Sequence, residues 1–338
     1  MKIILTGGSG AVGQNVLNKL CENKDLEIIA FDKKNKRTEK FYETYSDKVT
    51  VHYGDISKRE DLIGMAKDVD FVIHLAAIIP PLADEMPELA FKVNVEGTKN
   101  LISVLEEHSK NAFFLYASSV SVYGDRLENP MIKVGDPLQP SIGDEYAKTK
   151  IQAENALQNS QLDWSIFRLS AIMGTDNHKI SGLMFHMPLA TSMEITTPKD
   201  TGRAFAHAIG KREELSKQIF NLGGGEECRI SYHDFLSRSF KIFGLGELDF
   251  PKNAFANHNF HCGYYTDGDD LEEILHFRQD TITTYFESVK ESVSPMKKFA
   301  AKIFSWSVKK HILRQSDPLQ AIKDWDRKGV ARYFNAAK

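Results

Sequence analysis

Ile3-Ile4-Leu5-Thr6-Gly7-Gly8-Ser9-Gly10-Ala11-Val12-Gly13 is the stretch on which the reading of this chain turns. A short apolar run ends in glycines, and Val16, Leu17 and Leu20 then recur at helical spacing. Strand, glycine turn and helix in that order let the backbone turn tightly and bring the free N–H groups of a helix start to one point. Such a point attracts an anion, and a pyrophosphate in particular. The next apolar run, 27–31, closes on Asp32, 19 residues after Gly13. A carboxylate at that distance accepts hydrogen bonds from a ribose 2′-hydroxyl and repels a 2′-phosphate. The pattern predicts NAD as cofactor ahead of NADP, with Lys33 and Lys34 as the cations that would serve NADP.

Outward from that stretch, short apolar runs recur at 49–53, 70–74, 112–116 and 164–167, with helical segments between them. Runs nearly continuous in apolar residues suit strands buried on both faces, and strict alternation implies a parallel sheet with helices on both sides. A further strand at 218–222 is expected to rejoin the sheet. The expectation is a doubly wound α/β nucleotide-binding domain, 1–170 with about 195–224, and a smaller, mostly helical substrate domain, about 171–194 with 225–338. Ser231 is read as a helix N-cap. The aromatic, His-rich stretch 251–268 has no assignment.

Composition narrows the function class. The 338 residues carry 43 Lys and Arg against 46 Asp and Glu, a net charge of −3, so no basic face for nucleic acid is expected. No run of 18 apolar residues suggests a membrane span. Cys21, Cys228 and Cys262 lie far apart with no CxxC pair, which points to neither disulfides nor a metal site. The apolar run at the N-terminus is too short for a signal peptide, and a reducing, cytoplasmic location is expected.

Tyr146-Ala147-Lys148-Thr149-Lys150 lies in a helical stretch, 143–160, and puts Tyr146 and Lys150 on one face. A neighbouring ammonium is expected to lower the phenol pKa and make Tyr146 an acid or base near neutrality. Tyr116-Ala117-Ser118-Ser119-Val120-Ser121-Val122-Tyr123-Gly124 follows a buried run, so its serines fall at a strand's C-terminal end, where open α/β sheets bind ligands.

With these motifs in order, roughly residues 1–225 resemble the extended short-chain dehydrogenase/reductases, the NAD-dependent epimerase/dehydratase family. The glycine stretch is similar to the family's TGGxGxxG. Gly54-Asp55-Ile56, His74-Leu75-Ala76-Ala77, Asn94-Val95-Glu96-Gly97-Thr98, Asp200-Thr201-Gly202-Arg203-Ala204 and Phe220-Asn221-Leu222-Gly223-Gly224-Gly225 resemble later family elements. The resemblance implies a Rossmann-type domain that binds NAD through Gly7, Gly10, Ala11, Val12, Gly13, Asp32, Asp55, Ile56, Leu75, Ala76, Ala77 and Asn94, together with Tyr146 and Lys150. It implies catalysis by Ser119, Tyr146 and Lys150. Tyr146 exchanges a proton with the substrate oxygen, Ser119 hydrogen-bonds that oxygen, and Lys150 holds the nicotinamide ribose. It further implies a homodimer formed through 88–108 and 143–160.

Departures from the family pattern narrow the reaction. Val120 and Ser121 stand where dehydratases carry carboxylates, so a 4,6-dehydratase is disfavoured. Ala171 stands where sugar-nucleotide enzymes carry an Asn, and the loop Ile78-Ile79-Pro80-Pro81-Leu82 is apolar, which suits an apolar ketone or alcohol. Two subtypes remain open: a sugar or sugar-nucleotide epimerase, and a ketone reductase or alcohol dehydrogenase. The rival from another class is a catalytically silent nicotinamide-sensing protein, whose mark would be loss of the Tyr or the Lys. Arg203, Arg229 and Arg278 are weighed as phosphate ligands and His186 as a cavity residue, with structural roles preferred for all four. The segment 296–314 carries six basic residues and no acid. A helix whose apolar face packs on the substrate domain is the preferred reading, with peripheral contact to an anionic membrane as the alternative.

Overall fold

A computed structural model describes residues 1–175 and 180–335. The opening apolar run forms β1 (Lys2–Thr6), and the later runs form β2 (Glu27–Asp32), β3 (Val49–Tyr53), β4 (Phe71–His74), β5 (Phe113–Ser119), β6 (Asp163–Leu169) and β7 (Gln218–Leu222). All seven pair in parallel in the order β7-β6-β5-β4-β1-β2-β3. The doubly wound sheet expected from the alternation is therefore present, and the run at 218–222 rejoins it at the edge beyond β6.

The strands are apolar on both faces because each face has its own core. Ile3 and Leu5 pack on one side with Val16, Leu17 and Phe205. Ile4, Val72, Phe114 and Ile166 pack on the other with Leu101 and Leu157. The alternation of Ile3, Ile4 and Leu5 follows the two-residue period of a strand. Each such fully buried side chain stabilises the fold by about 1.5–3 kcal/mol relative to exposure.

Among the described residues, the rest mixes helices with two small sheets. Ala171–Ile172, Ser192–Thr196 and Arg229–Ser231 form one sheet, and Met131–Ile132 pairs with Tyr264–Tyr265 in the other. The unassigned stretch 251–268 holds the second of these short strands and a 3₁₀ turn, Lys252–Ala254. Helix Tyr232–Phe243 begins as predicted, with the Ser231 side chain accepting from Asp234 N. The stretch 88–108 is interrupted, since a π-helical turn, Lys92–Glu96, separates Pro87–Phe91 from Gly97–His108.

The region 296–314 differs from the preferred reading. It is two helices, Pro295–Ile303 and Ser305–Leu313, and no residue of the first is buried. Ala301, Val308, Ile312 and Leu313 reach the neighbouring core, while Met296, Phe299, Ile303, Phe304 and Trp306 stay exposed. The break at Phe304 turns the apolar residues to two sides, so one core covers only part of them. Among the described residues, no helix is long and apolar enough to cross a membrane.

Candidate active site

The sheet order reverses between β1 and β4, and the crevice beyond their C-terminal ends is where an α/β sheet takes a ligand. A cavity of about 1130 Å³ begins there. Gly7, Gly10, Ala11, Val12 and Gly13 line one end of it with Leu75 and Ala77. Gly7 has φ +71°, and a Cβ on it would stand 2.9 Å from Ala76 N. A Cβ on Gly13 would stand 2.3 Å from Gly7 O. Only glycine fits either position, so the wall is bare backbone. Helix α1 (Ala11–Leu20) starts at Gly10 with no capping side chain, and its leading amides lack a partner of that kind. A cradle of this shape fits a pyrophosphate.

Asp32 closes β2 as expected, and it also braces the cradle. Its Oδ2 accepts from Ser9 N at 3.1 Å, Ser9 Oγ at 2.6 Å and Tyr42 Oη at 3.1 Å. Burial, then the Asp32 charge, push the Tyr42 hydroxyl well up. Asp32, Asp55, Ile56, Ala76 and Asn94 do not line this cavity. The Asp55 carboxylate accepts from Ser57 N and Oγ, and the Ser57 hydroxyl holds it below the usual carboxylate value. Ile56 is buried, and Ala76 N donates to Thr6 Oγ1 at 3.2 Å. Asn94, in the π turn, grips both Ile78 N and Ile78 O, at 2.7 and 2.9 Å, and donates to Thr149 Oγ1 at 2.9 Å. It ties the apolar loop to the helix that carries Tyr146.

That helix, Glu145–Gln158, is capped by Asp144, whose Oδ1 accepts from Ala147 N. Tyr146 and Lys150 lie one turn apart and line the cavity with Ser119, the last residue of β5. The Ser119 hydroxyl is hydrogen-bonded to Tyr146. Lys150 Nζ donates to Ala117 O at 2.7 Å and stands 4.7 Å from the Tyr116 ring centre and 5.6 Å from that of Tyr146.

The electrostatics differ from the simple expectation of a lowered tyrosine pKa. Burial pushes the Tyr146 hydroxyl well up, the Asp144 charge adds to the rise, and the Ser119 hydrogen bond opposes it. Burial also pulls Lys150 down to about 7, with the Glu154 carboxylate opposing. Desolvation acts on both groups and outweighs the attraction between them. His74, buried between Thr6 Oγ1 and Thr98 Oγ1 at 2.6 and 2.9 Å, falls to about 3, chiefly through burial and then through the Lys150 charge.

Sequence reasoning missed the support behind the lysine. Glu154, one turn beyond Lys150, is fully buried and pairs with Arg168 through Nε–Oε1 at 3.0 Å and Nη2–Oε2 at 2.6 Å. Ser118 Oγ donates to the same carboxylate. Arg168 Nη1 reaches Tyr123 Oη at 2.9 Å, and Tyr123 donates to Asn221 at 2.8 Å. The spacing of Lys150 and Glu154 was the available signal, since it puts both on one helix face.

The far end of the cavity is apolar. Met173, Met184, Met187, Met193, Phe235 and Leu236 line it, with Ala171 nearby and Ile79, Pro80 and Pro81 at the mouth. Arg203, Arg229 and Arg278 do not reach it. Arg203 pairs with Asp200, Arg229 with Glu194 and Arg278 with Asp269. His186 does line the cavity, and its Nε2 contacts Asp317 at 2.7 Å. Arg332 and Tyr333, which sequence reasoning did not single out, complete that rim, with Arg332 3.5 Å from Asp84.

The 3-beta-hydroxysteroid dehydrogenase of Mycolicibacterium neoaurum is 31% identical over 207 residues, which are 57% of this chain and 54% of that protein. The decarboxylating sterol-4-alpha-carboxylate 3-dehydrogenase of Schizosaccharomyces pombe is 27% identical over 190 residues, 54% of each chain. The match thus spans about half the length of these curated relatives. Among solved structures, the UDP-glucuronic acid 4-epimerase of Bacillus cereus, with UDP-glucuronic acid and NAD, superimposes with a TM-score of 0.71 at 20% identity. That superposition covers 86% of this chain and 98% of that one, and it shows a shared fold. A sequence profile matches residues 3–223, from β1 to the end of the sheet, and by that match this chain belongs to the NAD dependent epimerase/dehydratase family.

Proposed function

We propose that this protein is an NAD-dependent dehydrogenase that interconverts a secondary alcohol and a ketone on a bulky apolar substrate of the hydroxysteroid kind. The observation that carries this reading is the far wall of the cavity. It is largely methionine and aromatic side chain, with His186, Ser239, His261 and Arg332 among its polar members, while the three arginines suited to a phosphate tail are engaged elsewhere. Arg332, the arginine of the described wall, is held by Asp84. Among the described residues of that wall, a nucleotide sugar's phosphates would meet no arginine or lysine free of a carboxylate partner, whereas an apolar ring system gains about 25 cal/mol per Å² buried. The two curated relatives, both named for sterol or steroid chemistry, support the same substrate class.

In this reading the amides of Gly10 to Gly13 hold the pyrophosphate, Asp32 the adenosine ribose and Lys150 the nicotinamide ribose. The bound nicotinamide supplies the hydride acceptor or donor. Tyr146 takes the hydroxyl proton in oxidation and returns it in reduction. Ser119, beside Tyr146, turns its hydroxyl from the tyrosine to the same substrate oxygen and stabilises charge that develops on it. With the Tyr146 hydroxyl raised, the phenol holds its proton more tightly than a free tyrosine, which sets it to give that proton in reduction, while the positive charge of bound NAD would help it act as the base in oxidation.

The test is to mix the purified protein with NAD and a panel of 3-hydroxysteroids, other apolar secondary alcohols and UDP-sugars, and to follow NADH by absorbance. NADH should form with the apolar alcohols. Tyr146→Phe should slow turnover by about 10²–10⁴-fold while leaving NAD affinity unchanged. Turnover of UDP-sugars alone, with no net NADH, would replace this reading with an epimerase. Binding without any turnover, unchanged in the variant, would leave only a nicotinamide sensor.

A further inference from the structure

The helix pair Pro295–Ile303 and Ser305–Leu313 leaves an apolar ridge in water. Met296 is 82% exposed, Phe299 68%, Ile303 60%, Phe304 60% and Trp306 70%. Met296, Phe299 and Ile303 recur at three- and four-residue spacing, so they share one face of the first helix. Five large apolar side chains within 11 residues form an exposed patch of a kind that soluble monomers rarely carry without a use.

The charges around the ridge say what it meets. Lys297, Lys298, Lys302, Lys309, Lys310 and Arg314 lie in this segment with no acid among them, on a chain whose net charge is −3. Lys309 is held by Asp249 at 2.5 Å, and Lys310 stands over the Trp306 ring at 4.7 Å. Lys297 and Lys302 are exposed with their helix. Large apolar side chains flanked by lysines suit the interface of an anionic bilayer, where rings enter the headgroup boundary and ammonium groups meet phosphates. An acidic protein surface would satisfy the lysines and leave five apolar groups against polar partners. We propose that this helix pair seats the protein on an anionic membrane surface.

The seat is connected to the cavity. Gln315, just past the second helix, accepts from Gly182 N at 3.1 Å. Asp317 follows and contacts His186 in the cavity wall. Leu183, between these two contact points, lines the cavity and is 45% exposed. The chain that leaves the second helix therefore joins the wall of the apolar end directly. Supply of an apolar substrate from the lipid phase rests on the function proposed above, whereas the seat itself does not.

Vesicle co-sedimentation of the full chain, with no substrate present, tests the seat. Wild type should bind phosphatidylcholine vesicles containing 30% phosphatidylserine (roughly the anionic content that gives a substantial surface potential) at least about ten-fold better than pure phosphatidylcholine, and salt should release it. Phe299→Ser/Ile303→Ser/Trp306→Ser and, separately, Lys297→Glu/Lys302→Glu should each abolish binding. Both sets lie on exposed positions, so melting temperature and NAD affinity should be unchanged in each. Wild type that stays in the supernatant at every lipid composition overturns the proposal. So does concentration-dependent self-association that the apolar triple variant removes, because a second copy of the chain would then cover the ridge. Neither result bears on dehydrogenase activity, which is measured in the absence of lipid.

Discussion

At the glycine end of the cavity the wall is backbone, drawn from Gly7, Gly10–Gly13 and the short stretch after β4; at the methionine end it is side chains drawn from 171–175 with 180–193, 232–243, 259–262, 285–289 and 317–333. The first end has one shape because atoms that cannot move make it. The second depends on how five separated segments pack, and its surface changes with each side chain. A ligand common to many proteins suits the first construction, and a ligand particular to one protein suits the second. Tyr146, Lys150 and Ser119 stand between the two ends, and Glu154 and Arg168 anchor that middle.

The contrast can be broken by substitution. Gly13→Val should cost at least about a thousand-fold in NAD affinity by calorimetry, because overpacking against fixed backbone costs several kcal/mol. Affinity near wild type would mean the cradle is not rigid. Glu154→Gln should destabilise the protein by about 3 kcal/mol in urea titration, because it leaves Arg168 buried without its carboxylate. A loss below about 1 kcal/mol would show that the middle does not depend on this pair.

Lys150 gives a pH-dependent test. Its ammonium falls to about 7 in the folded protein, against about 10.4 unfolded. Between those values the unfolded chain binds more protons, so its titration makes stability rise with pH. The cost of burying the charge is full below pH 7 and is relieved toward pH 10. Lys150→Met should therefore gain relative to wild type at pH 6 by about 2–4 kcal/mol more than at pH 10. An equal difference at both pH values would show that the lysine is solvated. The smallest effect is expected at the other end. Met193→Ala should raise KM for a bulky apolar alcohol roughly ten-fold, about 1–2 kcal/mol of lost contact, with NAD affinity unchanged. A fall in NAD affinity instead would show that the two ends are coupled.

The same contrast explains what could be read from the sequence. The glycine turn, Asp32 and the parallel order were legible because local backbone geometry dictates them. Tyr146 and Lys150 were legible because a four-residue helical step puts them on one face, whereas a strand end marks several serines and only the family resemblance singled out Ser119. The direction of the tyrosine shift was not, since a charge seen in sequence carries no record of how deeply it is buried. Arg332, Tyr333 and the methionines escaped notice because nothing local marks residues that meet only after folding. Periodicity at 296–314 showed that an apolar face exists, but not that the core stops short of covering it. Asn94 was expected beside the cofactor, and nothing in its spacing showed that its amide also grips the loop at Ile78.

The four methionines of the far wall carry a chemical liability that the backbone end lacks. An unbranched thioether reshapes easily around different ring systems, which widens the range of substrates a single cavity accepts. The four are buried in the folded protein, so a peroxide would reach them only through the cavity they line, and each sulfoxide would set a dipole in a wall built for hydrocarbon. Oxidative stress would then narrow what this protein acts on before it touched how the protein holds its nucleotide.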